Sequence, residues 1–338
     1  MKITLFPGRE LSSDLVRAWA ELQQANPALA SPYFHPKFTG IVSQVLGNVE
    51  VAVIGDFNGT AALFPFQRLP GNVGVPVGHF LSDYHGLICE PGLECDPRAL
   101  VKQCGLIAWD FDHLITSQMS FAPFYQSVDP APQIDLSGGF EMYFRGQRGL
   151  KTEPVKIRRL ERDHGPLRFI SHSADRSALS RLFMWKSQQY QRTGNEDIFR
   201  DARIRSIVQE VHETQDKHFS GMLSALYAGD QLVAAHLGMR AGSIWHYWFP
   251  AFDPEFSYYS PGSLLLLKMA EHAPTAGIKT IDLGKGMYEQ KRRFMNASVP
   301  VASGRVELLS LRYVRHALRR NLISQPKRWL YRAIGRNA

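Results

Sequence analysis

The chain is poor in cysteine, with only Cys89, Cys95 and Cys104 in 338 residues. Their spacing matches no zinc site, and three thiols cannot form a closed disulfide set. Ordinary reduced thiols, and no metal, are the expectation. The sequence also lacks any run approaching the roughly 18 apolar residues of a membrane span. Its opening "MKITLFPGRE" lacks the apolar stretch of a secretory leader. These absences lead to the expectation of a soluble, cytoplasmic protein. Low-complexity tracts are missing as well, and 44% hydrophobic with 21% charged residues is a globular composition. Acidic residues are absent from one region. Residues 312–338 hold eight Lys or Arg and no Asp or Glu, so the net charge of +8 resides in the tail. The body, residues 1–311, balances 31 basic against 31 acidic side chains. A neutral body argues against nucleic acid as a partner. The basic tail suits an acidic partner or the anionic inner face of a membrane. A solvated, partly helical terminus is the plainer account of it.

What is present reads as mixed α and β. Residues 11–24 and 36–46 have helical spacing. "VEVAVIGDFNGTAALFPFQRL" reads as two strands joined at Asn58-Gly59, a strong hairpin signal. Residues 97–107 read as a helix and "HLITSQM" as a short strand. The densest turn chemistry of the middle, "QSVDPAPQIDLSGG" at 126–139, reads as a domain boundary. This divides the chain into 1–130, 131–311 and the tail 312–338. Beyond it, 140–162 reads as one helix with a basic second half, followed by strand "LRFIS" and helices at 174–192 and 202–212. Three strands come next, with two-residue turns at Gly229-Asp230 and Gly242-Ser243, an antiparallel meander. The helix at 262–277 returns the chain to strand "KTIDLG", and a strand–helix–strand crossover requires parallel pairing.

The mouth of that helix is "YYSPGS". A helix N-terminus leaves backbone N–H groups unpaired and carries partial positive charge. Glycine lets an anion approach closely, so Tyr259, Ser260, Gly262, Ser263 and Leu264 form a candidate cradle for a pyrophosphate such as that of coenzyme A. Pro-Gly is also simply a good helix start.

Helices, a meander, then a helix and a parallel strand follow the order of the acyl-CoA N-acyltransferase (GNAT) fold. The segments "IDLSGGFEMYF", "KIRRLER", "VAAHLGMRAGSIWHYWFPAFDPEFSYYSPGSLLL", "AGIKTIDLGKG" and "KRRF" resemble the acetyltransferase family of cellulose and exopolysaccharide biosynthesis (BcsL type). That family is similar to FemAB-like proteins with two tandem GNAT folds. In the first half only "SPYFHPKF" and "SDYHGLI" share the resemblance. It implies an α+β fold of two tandem GNAT-like domains, each a mixed, mostly antiparallel sheet flanked by helices. It also implies transfer from acetyl-CoA or another acyl-CoA to a sugar or nucleotide-linked amino sugar. The family's turn after the last strand keeps its counterparts here at Asp282, Gly286, Lys291 and Phe294. Its acidic pair is replaced by Met287 and Tyr288, and its Tyr before the Lys by Gln290.

Acyl transfer from a thioester needs a neutral nucleophile, a donor for the tetrahedral oxyanion and a pinned donor substrate. His236 in "VAAHLGM" is the first candidate base, with a buried, hydrogen-bonded strand histidine as the alternative. Asp282 ends its strand, where open α/β sheets place ligand groups; an Asx turn would use it equally well. Tyr288, Glu289 and Lys291 share the following turn. Asp83, Tyr84 and His85 form a polar cluster suited to an acceptor-binding wall. Trp185 and Lys186 suit a sugar, although Trp185 suits a core as well. In "WHYWF", Trp245, Tyr247 and Phe249 alternate with His246 and Trp248, so one face, Tyr247 among it, is a candidate groove lining. Two other readings stay open: a non-catalytic GNAT-like binding subunit, and FemAB-type transfer from aminoacyl-tRNA, whose long helical insertion is missing here.

Overall fold

The computed structural model of the chain describes residues 2–56 and 59–308. The basic tail and Asn58 of the expected hairpin turn lie outside them. The first half runs β1 (Lys2–Pro7), α1 (Ser13–Ala25), α2 (Pro36–Val45), β2 (Val49–Asp56), β3 (Gly59–Leu69), β4 (Val73–Val75), β5 (Ile88–Cys89), α3 (Pro97–Gln103), β6 (Ala108–Ile115) and β7 (Tyr125–Asp135). Two helices follow, α4 (Phe140–Gly146) and α5 (Glu153–His164). The second half runs β8 (Leu167–Ile170), α6 (Arg176–Thr193), α7 (Ala202–Glu213), β9 (Phe219–Ala228), β10 (Gln231–Ala241), β11 (Ile244–Phe252), α8 (Pro261–His272), β12 (Thr280–Asp282), α9 (Glu289–Phe294) and β13 (Ala297–Glu307).

Apart from β5, the two halves pair their strands identically. β1, β2, β3 and β4 are successive antiparallel neighbours, and β4 pairs parallel with β6. β8, β9, β10 and β11 repeat the pattern, and β11 pairs parallel with β12, as the crossover required. Each half then gives its last strand to the other. β7 lies beside β12, β13 lies beside β6, and β7 and β13 pair with each other at the centre. The described strands thus form one continuous 13-stranded sheet, with β5 attached to β3. The fold is α+β, two GNAT-like halves of mostly antiparallel sheet.

Three apolar cores hold it. One spans the join, where Phe38 and Val42 of α2 meet Ile207 and Val211 of α7 and Leu182 of α6. A second packs Leu264, Leu265 and Leu267 of α8 on Trp245 and Ile281. A third packs Leu100 and Val101 of α3 on Phe64 and Trp109. Each fully buried leucine contributes about 2 kcal/mol.

The turn-rich segment at 126–139 is largely strand β7. Its prolines are tolerated because the Pro132 carbonyl accepts the Leu283 N–H at 3.0 Å. Its ring nitrogen therefore faces β12, where pairing begins only at Gln133, and no ladder bond to β13 is lost. The single helix expected over 140–162 is two, α4 and α5. Gly146 and Gly149 interrupt the run, and Pro154 restarts it at a position that needs no N–H.

Candidate active site

The parallel ladder between β11 and β12 is short. Ile244, Trp245 and His246 pair with Thr280, Ile281 and Asp282, and there it ends. Beyond His246, among the described residues, nothing pairs with β11 on that side, and the two strands part. Register places His246, Asp282 and Gln133 side by side on β11, β12 and β7. Their neighbours Trp245 and Ile281 point into the α8 core, so alternation turns this polar row to the opposite face.

The row is closed from above by the loop after β4. Asp83 Oδ2 lies 3.0 Å from His246 Nε2, and Asp282 Oδ1 lies 3.5 Å from His246 Nδ1. Tyr84 Oη donates to Asp282 Oδ2 at 2.7 Å, and Gln133 Nε2 donates to the same oxygen at 2.9 Å. The other oxygen of Asp83 stands 3.5 Å from His113 Nε2. His246 is fully buried, and the Tyr33 ring meets it edge-on at 4.8 Å.

Burial alone would pull the His246 pKa down. The hydrogen bonds and charges of Asp282 and Asp83 outweigh it and raise the pKa to about 9. Burial would raise Asp83, yet the His246 bond and the charges of His113, His246 and Lys291 hold it well below the usual carboxylate range. Asp282 is lowered in the same way, against its burial, by His246, Tyr84 and Gln133. The resting site is therefore an imidazolium between two carboxylates. Lys291 supplies a second cation. Burial lowers its pKa against the opposing pull of Asp83 and Asp282, and its Nζ donates to the carbonyls of Gly284 and Lys285 at 3.2 and 2.9 Å. A Cβ at Gly284 (φ 68°) would sit 2.4 Å from Asp83 Oδ2, so only glycine lets the two halves close here.

His236 lies elsewhere. It is fully buried, stacks on Tyr247 at 4.4 Å, and accepts the Trp248 N–H on Nε2 at 3.1 Å. That bond falls at a β-bulge, where Tyr247 and Trp248 stand opposite the single residue Gly238. Burial, with the charges of His246 and Lys186, holds its pKa well below 6.5. It shapes the bulge as a neutral acceptor instead of facing the cleft as a base.

The remaining candidates divide. Asp83, Tyr84, Asp282 and Lys291 come together with His246. Tyr288 is half-buried, with Lys291 Nζ 5.4 Å from its ring centroid, and Glu289 is exposed. His85 serves the first half: its Nε2 accepts the N–H groups of Asp112 and His113, both at 3.1 Å. Trp185 is core. Lys186 is half-buried, donates to Gln189 at 2.9 Å, and is lowered by burial to about 8. Tyr247 is buried with an unpartnered hydroxyl.

The mouth of α8 is the candidate anion cradle. Ser260 (φ 56°) precedes α8 without a side-chain cap. Lys156 Nζ lies 3.4 Å from Ser260 Oγ, and Arg159 donates to Tyr258 Oη at 2.7 Å. A Cβ at Gly262 would meet only Phe252, in ordinary contact at 3.5 Å. Tyr259 donates to Asp163 at 3.0 Å, while Ser263 and Leu264 are buried. The uncapped helix end suits a phosphate, and Lys156 beside it also pairs with the buried Glu153 at 3.1 Å.

The sequence reading missed His246 as a functional group and did not consider His113 or Gln133. The one available signal was that His246 alternates away from the apolar Trp245 and Tyr247.

Residues 155–292 match the family model described as an acetyltransferase (GNAT) domain. Among solved structures the chain is similar to FemX (TM-score 0.60, 10% identity, covering 94% of this chain and 100% of that one). It is also similar to L-PGS from Bacillus licheniformis (0.53, 12%, covering 93% and 98%). A third similar structure is a tandem GNAT protein from the clavulanic acid biosynthesis pathway (0.51, 9%, covering 90% and 98%). No curated protein sequence matches. The second half is thus similar to an acetyltransferase (GNAT) domain, within a fold that spans nearly the whole length of FemX and of a tandem GNAT protein.

Proposed function

We propose that the protein transfers an acyl group from an acyl-CoA to an amino or hydroxyl group of a sugar or nucleotide-linked amino sugar. The observation that carries this reading is the gap between β11 and β12 with the Asp83–His246–Asp282 array at its apex, alongside the uncapped N-terminus of α8. The donor's pyrophosphate would meet the α8 N-terminus, Gly262 and Lys156. Its pantetheine arm would lie along the unpaired edge of β11. The sugar acceptor rests on the resemblance to exopolysaccharide acetyltransferases.

In the reaction, the acceptor lone pair forms a bond to the thioester carbonyl carbon, and the C=O electron pair moves onto oxygen. The Lys291 ammonium, in the turn that follows Asp282, is suited to that charge. Collapse restores C=O and breaks C–S. His246, already protonated, gives its proton to the departing thiolate and takes the one released by the acceptor. Asp83 and Asp282 hold the imidazole in place and favour its return to the charged form once it takes the acceptor's proton.

Isothermal titration with acetyl-CoA and longer acyl-CoAs tests the donor. Wild-type protein should bind at least one of them. Gly262→Trp, which fills the helix mouth, should weaken binding about 100-fold, or roughly 2.7 kcal/mol. Thiol release in the presence of amino-sugar nucleotides then tests the acceptor. Silence toward every acyl-CoA would remove the donor from the reading and turn attention to aminoacyl-tRNA.

A further inference from the structure

The loop that delivers Asp83 first turns through an exposed aromatic residue. Phe80 is 47% exposed, and it follows two residues held at positive φ, Gly78 (78°) and His79 (52°). A histidine in that region costs about 1 kcal/mol. The turn is nevertheless tied down: His79 N–H bonds Pro76 O at 2.8 Å, and Leu81 N–H bonds Gly78 O at 3.0 Å. The Leu81 carbonyl accepts Trp248 Nε1 at 3.1 Å, and the His79 ring meets the Phe80 ring edge-on at 5.8 Å. Backbone strain and fixed neighbours thus hold a phenyl ring in water.

A cavity lies on each side of that ring. One, about 590 Å³, runs toward Gln191 and Asn195. The other, about 490 Å³, runs toward Asn48 and Gln67. Phe80, Asp201 and Ile204 line both. Gln67 is only 8% exposed, and its Oε1 is buried without a hydrogen-bond partner. An unpaired buried amide oxygen costs about 1–3 kcal/mol, and Gln67, which carries it, lines that cavity. The charges nearby are already spent on one another. Asp201 pairs with Arg203 at 2.7 Å and Asp197 with Arg200 at 3.6 Å, and Glu196 lines the first cavity as well. An anion gains nothing here.

We infer that these paired cavities are a binding subsite for a neutral carbohydrate of at least two rings, with one ring resting on Phe80. The polarised C–H groups of a pyranose suit the negative face of the phenyl ring. Amides on both sides suit its hydroxyls, and each cavity has the size of a small-ligand site. The subsite deepens the proposed function, since Phe80 stands three residues before Asp83 on the loop that closes over His246.

The probes are a β-1,4-linked glucose trisaccharide and the corresponding N-acetylglucosamine trisaccharide, titrated into the full chain and followed by amide NMR shifts. The expected result is saturable binding of one of them with a Kd of about 0.1–1 mM. Phe80→Ala should weaken it about 10-fold, Phe80→Trp should retain it, and Gln67→Leu should weaken it several-fold, all with unchanged melting temperature. No saturation by either sugar at about 10 mM, or equal affinity in Phe80→Ala, would overturn the subsite. So would shifts at Phe80 caused by a phenylalanine-containing peptide and by neither sugar. Acetyl-CoA is titrated separately. If it fails while the trisaccharide binds, the donor assignment falls and the subsite stands.

Discussion

The two halves share a topology, and each has a place where two parallel strands begin to part. In the second half the gap between β11 and β12 stays open beyond His246 and Asp282. In the first half, β4 and β6 pair at only two positions, and the chain then fills its own gap. His85 bridges to Leu114 of β6, its N–H bonds His113 O, and its carbonyl accepts the Ile115 N–H, both at 3.3 Å. Its side chain caps two further backbone donors. Burial lowers its pKa to about 3, which keeps the ring neutral and able to accept. The helix mouths differ in the same sense. α8 opens on Ser260 without a side-chain cap. α3 is capped by Asp96, whose carboxylate accepts the Arg98 N–H at 2.9 Å and would repel a phosphate. One half keeps a gap and an uncapped helix end. The other closes both and extends the freed loop, with Asp83 and Tyr84, into its neighbour's gap.

The largest effect should come from His246, where the halves meet. His246→Ala leaves the buried Asp282 and the half-buried Asp83 facing each other with their shared cation gone. Loss of one partner from a buried ion pair costs about 3–5 kcal/mol, measurable by denaturant unfolding. Turnover in a thiol-release assay should fall about 10²–10⁴-fold. A variant with near-native stability would mean that the array does not hold the halves together.

The same array sets a pH window. His246 is raised from 6.5 unfolded to about 9 folded. Its contribution is therefore complete below about pH 6.5 and is lost as pH rises through about 9. Lowered Asp83 and Asp282 act oppositely, stabilising above about pH 4 and losing that as acid protonates them. Unfolding free energy measured from pH 6 to 10 should drop more steeply across the upper window in the wild type than in His246→Gln. Parallel curves would assign the loss to another group.

Most of the topology could be read in the sequence, and the assembly of the site's residues could not, for a physical reason. Turn dipeptides such as Gly229-Asp230 and Gly242-Ser243 mark strand ends locally, so the meander and the parallel return of β12 follow from neighbouring residues. The site is non-local. Gln133 and Asp282 are 149 residues apart, Asp83 and His246 are 163 apart, and only strand register brings them together. The exchange of β7 and β13 was hidden for the same reason, and the prolines of β7 disguised a central strand as a boundary. Asp83, Tyr84 and Asp282 stood out as polar residues in apolar surroundings. His246, one polar residue in an aromatic strand, did not.

His85→Leu should have a smaller effect confined to the first half. Two buried N–H groups would lose their acceptor, a cost of about 1–3 kcal/mol, while acetyl-CoA affinity stays unchanged. Impaired acetyl-CoA binding in a folded His85→Leu protein would show that the closed gap still communicates with the open one.

The smallest effect separates the two helix mouths most directly. Asp96→Ala removes the cap of α3 and should cost about 1 kcal/mol. It also takes a negative charge from the one helix end that a phosphate could otherwise approach. If capping alone had closed that end, Asp96→Ala would create a second, weak acetyl-CoA site, visible as a stoichiometry above one in titration. We expect a stoichiometry of one. α3 is only seven residues long, and its half's gap is already occupied by His85, so no unpaired strand edge remains for a pantetheine arm. The closed mouth and the filled gap are independent barriers, and removing the cheaper one should leave the other intact.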